Sequence, residues 1–161
     1  MSDLNKINEI EKRIYNTFSG LAQSMGFSPI HGNIIGALIV GSESLSLQEI
    51  AKKTGYSVSM VSLSMDLLEI LDIVRRIKKP RDRNLYISIN GNLLDSLKKV
   101  LTMRVKKGVV GILTEFDESR EKLKHLKGEE KTEVLNAIDT LEKEMKRLDN
   151  YVNLLSEIKL P

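Results

Sequence analysis

Apolar residues recur every three or four positions near the start of the chain, and this spacing predicts an amphipathic helix over residues 4 to 25. Gly26 ends that helix. Ser28-Pro29 then indicates a new start, because Ser can cap free amides and Pro at the first helical position gives up an N–H that has no partner. The second helix extends to about Val40, and its Gly36 indicates close approach by a neighbouring helix.

Two short helices joined by a tight turn follow. Ser46 and Glu49 fit a capping box, which starts a helix near Leu47. Gly55 ends that helix, and Ser57 can cap the next one. The predicted buried stripe of this next helix recurs at spacings of four and three and consists of Val61, Met65 and Leu68.

The period of the apolar positions changes after Asp72. Residues 73–79 and 85–89 are rich in β-branched side chains and predict two strands, joined by a turn over residues 80–84. A helix, a tight turn, a second helix and a two-stranded hairpin together predict a winged helix-turn-helix, in which the second helix is the recognition helix and the hairpin is the wing.

The rest of the chain has a helical pattern. One helix is expected from about residue 92 to 126, where Gly108 and Gly111 allow either close packing of another helix or a kink, and a kink is favoured. Gly128 permits a reversal. Residues 134–155 then keep a four-and-three spacing of apolar positions with charges between them, which is typical of a coiled coil.

The fold class expected from these elements is mainly α-helical, with a small β-hairpin wing and long terminal helices. Residues 1–26 are expected to form an N-terminal helix that contributes to dimerisation, and residues 27–90 the winged helix-turn-helix domain. Residues 91–161 are expected to form a long, coiled-coil-like dimerisation region. Because one small domain cannot cover the apolar seam of that region, a homodimer is expected.

Composition removes most enzyme classes. The 161 residues, with 41% hydrophobic and 29% charged side chains, suit one ordinary globular core. There is no Cys, the two His are far apart, and no nucleotide-binding or hydrolase motif occurs, so we expect no enzyme, no metal site and no cofactor. No apolar run approaches membrane-spanning length and no signal peptide is evident, so a cytoplasmic protein without a membrane partner is expected.

The net charge of +3 is unevenly distributed. Residues 75–83 hold six basic side chains and one acidic side chain, whereas the other 152 residues hold 19 basic and 21 acidic side chains. The positive excess therefore lies in the predicted wing. In a hairpin that follows a helix-turn-helix, contact with DNA is favoured over a merely solvated surface.

The wing supplies five candidate DNA contacts. Arg81 and Arg83 at its tip suit a minor groove, and Lys78 and Lys79 suit phosphates. Arg75 and Arg76 lie on opposite faces of a strand, so only one of them can face DNA, and Arg76 is the candidate. For Asp82, two roles remain open, bracing a neighbouring Arg or forming the turn.

The recognition helix offers weaker contacts. Hydroxyl groups suit phosphates or base edges, and Met60 suits a thymine methyl group, but this helix has no Arg, Lys, Asn or Gln. Its candidate DNA contacts are Ser57, Ser59, Met60, Ser62 and Leu63. Leu63, Leu67 and Ile70 would be unusually apolar for a surface in DNA. The alternative is therefore a winged-helix module that docks on another protein through this apolar face.

Residues 10 to 95 resemble the MarR-type transcriptional regulators. Three segments carry the resemblance: RIYNTFSGLAQSMGFSPIHGNIIGALIV for the N-terminal helices, SLQEIAKKTGYSVSMVSLSMDLLEILDIVRRI for the helix-turn-helix and KKPRDRNLYI for the wing. The similarity is to the branch that contains the repressor of glycine-betaine synthesis genes and its archaeal relatives. It implies a homodimer that binds double-stranded DNA through two winged domains, and it leaves a small-molecule effector possible but unidentified.

One departure from the resembling family concerns charge on the recognition helix. Where relatives often carry a basic residue, this chain has Val58 and Asp66.

A second open question concerns His31 in the first turn of its helix. It is either a sensor of pH or effector, or a partly buried, hydrogen-bonded structural residue, and the structural role is favoured.

Overall fold

The computed structural model describes residues 3–41 and 43–160, and the chain divides into two compact units, Met1–Ser96 and Leu97–Pro161. The first unit contains α1 (Asp3–Ser24), α2 (Pro29–Val40), β1 (Leu45–Ser46), α3 (Leu47–Thr54), α4 (Val58–Ile70), β2 (Val74–Lys78) and β3 (Leu85–Ile89). Helix α5 (Leu93–Leu123) begins in the first unit and continues in the second, which also contains α6 (Glu129–Glu157). This order of elements confirms the predicted winged helix-turn-helix.

Helices α1 and α2 are in direct backbone contact. A Cβ atom built on Gly32 would lie 2.1 Å from the carbonyl oxygen of Phe18, and one built on Gly36 would lie 3.1 Å from the Cα atom of Tyr15. The predicted close approach at Gly36 is therefore confirmed, and the closer contact at Gly32 is an addition. Ser28 precedes α2 as predicted, but its side chain makes no capping hydrogen bond, so that part of the prediction is wrong.

The helix-turn-helix is built by the predicted local signals. The capping box at the start of α3 forms, since the Ser46 hydroxyl accepts from the Glu49 amide at 3.2 Å and a Glu49 carboxylate oxygen accepts from the Ser46 amide at 2.7 Å. Gly55 ends α3 with a φ of +79°, a left-handed conformation that glycine adopts without strain. The predicted stripe of α4 is fully buried and consists of Val61, Met65 and Leu68.

The sheet has three antiparallel strands in the order β1-β3-β2. Residues Val74 to Lys78 of β2 pair with Ile89 to Leu85 of β3, as the predicted hairpin requires. Strand β1, which pairs with β3 through Leu45 and Ser46, was not predicted, because two residues are too short to show an alternating pattern. Strand β3, which forms half of the wing, is therefore paired on both sides.

The end of α4 fixes the start of the hairpin. The amide of Ile73 donates to the carbonyl of Leu68, and the amide of Asp72 donates to the carbonyl of Glu69, both at 2.9 Å, which is a Schellman motif. Asp72 has a φ of +59°, in the place that glycine usually fills. This turn directs the chain from α4 straight into β2.

In the second unit, α5 runs unbroken through Gly108 and Gly111. Arg120 of α5 contacts α6 through Asp139 at 2.8 Å and through Glu142. The apolar seam predicted for α6 splits into two sets. One is buried or half-buried and consists of Ile138, Met145 and Val152. The other is exposed and consists of Val134, Leu141, Leu148 and Leu155.

Candidate nucleic-acid interface

The N-terminal half of α4 presents a small, mostly uncharged surface. The Ser57 hydroxyl accepts from the Met60 amide at 3.2 Å, so this side chain caps the helix as predicted. Ser59, Met60 and Leu63 are exposed, and Leu63 keeps 76% of its surface accessible. An open depression of about 510 Å³ lies on this face and is lined by Leu47, Val58, Ser59, Ser62, Leu63 and Asp66.

The C-terminal half of α4 holds Arg76 of the wing. One guanidinium nitrogen of Arg76 lies 2.6 Å from an Asp66 carboxylate oxygen, and Nε lies 2.9 Å from a Glu69 carboxylate oxygen. Asp66 and Glu69 are one helical turn apart, so a single guanidinium group bridges both. Arg76 is thus a predicted site residue whose charge is already engaged in ion pairs, and it links β2 to the recognition helix.

The wing tip is a tight turn with exposed cations. The amide of Asp82 donates to the carbonyl of Lys79 at 3.2 Å, which closes a turn with Pro80 in its second position. Arg81 occupies the third position with a φ of +64°. Pro followed by a residue with positive φ is the pattern of a type II turn. Lys78, Lys79, Arg81 and Arg83 are all exposed.

Asp82 forms the turn. One carboxylate oxygen accepts from the Asn84 amide at 2.8 Å, and the other accepts from the Tyr86 hydroxyl at 2.7 Å. These hydrogen bonds, that of the Asn84 amide foremost, lower the pKa of Asp82 below its ordinary value. Of the two roles left open by the sequence, the contacts of Asp82 match the turn-forming one.

The cations of the wing differ in what they already contact. The Nζ atom of Lys79 lies 3.9 Å from the centre of the Tyr86 ring, in a cation–π contact. Arg75 faces the other side of the strand and donates from Nε to the Ser88 hydroxyl at 3.3 Å. Within residues 3–41 and 43–160, Arg81 and Arg83 form no ion pair, so their guanidinium groups are free to meet a ligand.

Sequence reasoning missed three contributors to this surface. The sequence patterns mark Tyr86 only as a strand residue and Asp66 only as a departure in charge, and they assign no role to Glu69. Each acts through a partner that lies across a turn or on another element, and no local spacing rule marks such a pair. The four-residue separation of Asp82 and Tyr86 across the turn was the one available signal.

In the described ranges, no group of three or more His, Asp or Glu side chains is close enough to hold a metal ion. A second finding concerns the membrane: none of the helices over the same residues is both long enough and apolar enough to cross one.

No protein-family model and no curated protein matches this sequence. A solved structure described as a transcriptional regulator is similar over 90% of this chain and 95% of its own, with 16% sequence identity and a TM-score of 0.63. By fold, the chain resembles a transcriptional regulator. At this level of identity, the likeness establishes the fold alone.

Two further solved structures are similar over most of their length. MepR, a transcription regulator of the Staphylococcus aureus multidrug efflux pump MepA, is 19% identical over 92% of this chain and 99% of its own, with a TM-score of 0.42. BldR, a transcriptional regulator from Sulfolobus solfataricus, is 20% identical over 88% of this chain and 90% of its own, with the same TM-score. These TM-scores are too low to support a conclusion about the present chain.

Proposed function

We propose that this protein is a MarR-type transcriptional regulator of the cytoplasm that binds double-stranded DNA as a homodimer. The observation that carries the proposal is the pair of exposed arginines at the tip of the hairpin, Arg81 and Arg83, which form no ion pair within residues 3–41 and 43–160. Strand β2 of that hairpin is joined to α4 by the ion pairs of Arg76. A narrow minor groove attracts such side chains through its negative potential. Membership of the glycine-betaine repressor branch stays a prediction.

The proposal gives the two surfaces different tasks. The wing places Arg81 and Arg83 in the minor groove and Lys78 on phosphate, and α4 enters the adjacent major groove. There, Ser59 and Met60 are exposed side chains in its first turn, and α4 contains no Arg, Lys, Asn or Gln for bidentate contacts to bases. Affinity therefore comes mainly from charge at the wing, and α4 supplies contact without strong base selection.

The homodimer in this proposal rests on uncovered apolar surface in each unit. In α6, the exposed half of the seam repeats every seven residues through Val134, Leu141, Leu148 and Leu155. In α1, Leu4, Ile7 and Ile10 are likewise exposed on a helix whose buried residues are Tyr15, Ser19 and Ala22. A second copy that packs on these faces would cover both.

Sedimentation of variants tests the dimer. Leu141→Glu with Leu148→Glu places charges in the exposed seam and is expected to shift the protein from dimer to monomer at micromolar concentration. Lys143→Glu with Asn150→Glu introduces the same residue at two other exposed positions of α6 and is expected to leave the dimer intact. A wild-type protein that sediments only as an 18.2 kDa monomer contradicts the dimer.

DNA binding is tested by selection from random duplexes, followed by titrations at several salt concentrations. If each wing neutralises about three phosphates, the dimer releases about six counterions, and log K against log salt has a slope near −5. Arg81→Ala with Arg83→Ala removes two contacts per wing and should bring the slope to about −2. Lys127→Ala with Lys143→Ala removes the same charge from the second unit and should leave the slope unchanged.

A second candidate function is docking on another protein through α4. The observation that favours it is the exposure of Leu63 and Ile70, at 76% and 80%. Surfaces of this kind are typical of interaction sites when the apolar side chains are contiguous. If the arginine variants bind duplex DNA with unchanged affinity and salt slope, this alternative replaces the first.

A further inference from the structure

The wing tip adopts a conformation that needs support. Arg81 has a φ of +64°, in the left-handed region that costs a side-chain-bearing residue free energy. Residues held there persist only where neighbouring contacts determine the backbone. The single backbone hydrogen bond of the turn, from the Asp82 amide to the Lys79 carbonyl, is long at 3.2 Å. The support must therefore come from side chains.

Tyr86 supplies that support from both sides. Its hydroxyl donates to an Asp82 carboxylate oxygen at 2.7 Å, and its ring lies 3.9 Å under the ammonium group of Lys79. Lys79 leads into the turn and Asp82 lies within it. One aromatic side chain thus contacts the residues on either side of Pro80 and Arg81.

Tyr86 is itself rigidly held. Its Cα pairs with Ser46 of β1 and with Ile77 of β2, so its backbone lies in the central strand of the sheet. The other carboxylate oxygen of Asp82 accepts from the Asn84 amide at 2.8 Å, which fixes the carboxylate between the turn and the ring. These contacts therefore connect the wing tip to the hydrogen-bonded sheet.

We infer that Tyr86 is a positioning residue, which holds the wing tip in one conformation and so presents Arg81 and Arg83 to DNA. This inference rests on the proposed function. Tyr86 itself need not touch the duplex. It reduces the ordering that the arginines must undergo when they bind, which raises affinity by preorganisation.

The decisive variant is Tyr86→Phe, which removes the hydroxyl and keeps the ring. Affinity for duplex DNA is expected to fall about threefold per wing, or about tenfold for a dimer, the effect of one net hydrogen bond at each tip. Tyr151→Phe makes the same chemical change on an exposed residue of α6 and is expected to have no effect. Both variants should unfold cooperatively, and the melting temperature of Tyr86→Phe should fall by at most a few degrees, as the loss of one hydrogen bond allows.

A double-mutant cycle separates positioning from a general structural role. With Arg81→Ala and Arg83→Ala already in place, Tyr86→Phe should cause no further loss of affinity. Without DNA, the amides of Asp82 and Asn84 should exchange hydrogen faster in Tyr86→Phe than in the wild type. Loss of affinity by the same factor in both backgrounds overturns the inference.

The outcomes also separate this inference from the function on which it rests. If the wild type binds duplex DNA and Tyr86→Phe binds equally well with unchanged amide exchange, the positioning role is wrong and the proposed function stands. If the wild type binds no duplex at any salt concentration, the proposed function and the positioning role both fail.

Discussion

Replacing Gly32 by Ala tests the contact between α1 and α2 that underlies the winged unit. The added Cβ would lie 2.1 Å from the Phe18 carbonyl oxygen, 2.3 Å from its carbonyl carbon and 2.5 Å from the Ser19 amide nitrogen. Carbon and oxygen atoms normally approach to about 3.3 Å. All three neighbours are backbone atoms, so the helices must separate by about 1 Å, since no side chain can turn aside.

The expected cost follows from two opposing effects. Overpacking by one methyl group costs about 1–3 kcal/mol and more where the backbone must move, and this contact is at the upper end. Alanine is favoured over glycine in a helix by about 1 kcal/mol, which offsets part of that cost. We expect Gly32→Ala to lower the free energy of unfolding by about 2 kcal/mol or more.

Two other glycines provide matched controls. Gly20 lies in α1 with nothing within 4 Å of an added Cβ, so Gly20→Ala should stabilise by up to about 1 kcal/mol. At Gly36 the nearest atoms of Tyr15 are at 3.1 and 3.2 Å, so a shift of a few tenths of an ångström suffices and a small net effect is expected. Urea unfolding followed by circular dichroism at fixed protein concentration measures all three. A Gly32→Ala protein as stable as Gly20→Ala would refute this account of the packing.

Three further predictions concern pH, charge and DNA geometry. Burial lowers the pKa of His31 below its ordinary value of 6.5, so the unfolded chain binds a proton more readily than the folded one. The free energy of unfolding should therefore fall as the pH drops through about 6.5. In unfolding curves measured at several pH values, His31→Leu should lose part of this dependence. Asp66→Asn with Glu69→Gln should change the free energy of unfolding by less than about 1 kcal/mol, because the ion pairs with Arg76 are partly exposed. The same double variant should bind DNA more strongly and with a steeper salt dependence. The control, Glu133→Gln with Glu144→Gln in α6, should leave DNA binding unchanged. Changing the spacing of two half-sites by five base pairs should weaken binding more than any single base change under α4, because half-sites lie about one helical turn apart; the opposite order would show direct base recognition.

Local chemistry explains why so much of the winged unit was predictable. The capping box of Ser46 and Glu49, the turn at Gly55 and the cap at Ser57 each depend on residues within three positions of one another. The buried stripe of α4 follows from helical periodicity alone. These signals fix the helix-turn-helix before any tertiary contact is known.

The parts that escaped prediction depend on distant residues. Arg76 meets carboxylates ten and seven positions earlier, on another element, and Gly32 meets the backbone of Phe18 across two helices. In α1, spacing identified an apolar face, but the residues buried within the chain are Tyr15, Ser19 and Ala22 on a different face. Periodicity shows that a face is apolar, and only the fold shows what covers it.

The length of α4 separates the two candidate functions. Leu63 lies five residues from the start of α4, or about 8 Å along the axis, whereas Ile70 is its last residue, about 18 Å along. A major groove about 12 Å wide can cover the first position but not the second when the N-terminal end enters it. Leu63→Ser should therefore weaken DNA binding and Ile70→Ser should leave it unchanged, as measured by titration of the selected duplex. If both variants bind DNA as the wild type does, the exposed face of α4 does not serve DNA, and docking on a protein partner becomes the better explanation of its apolar surface.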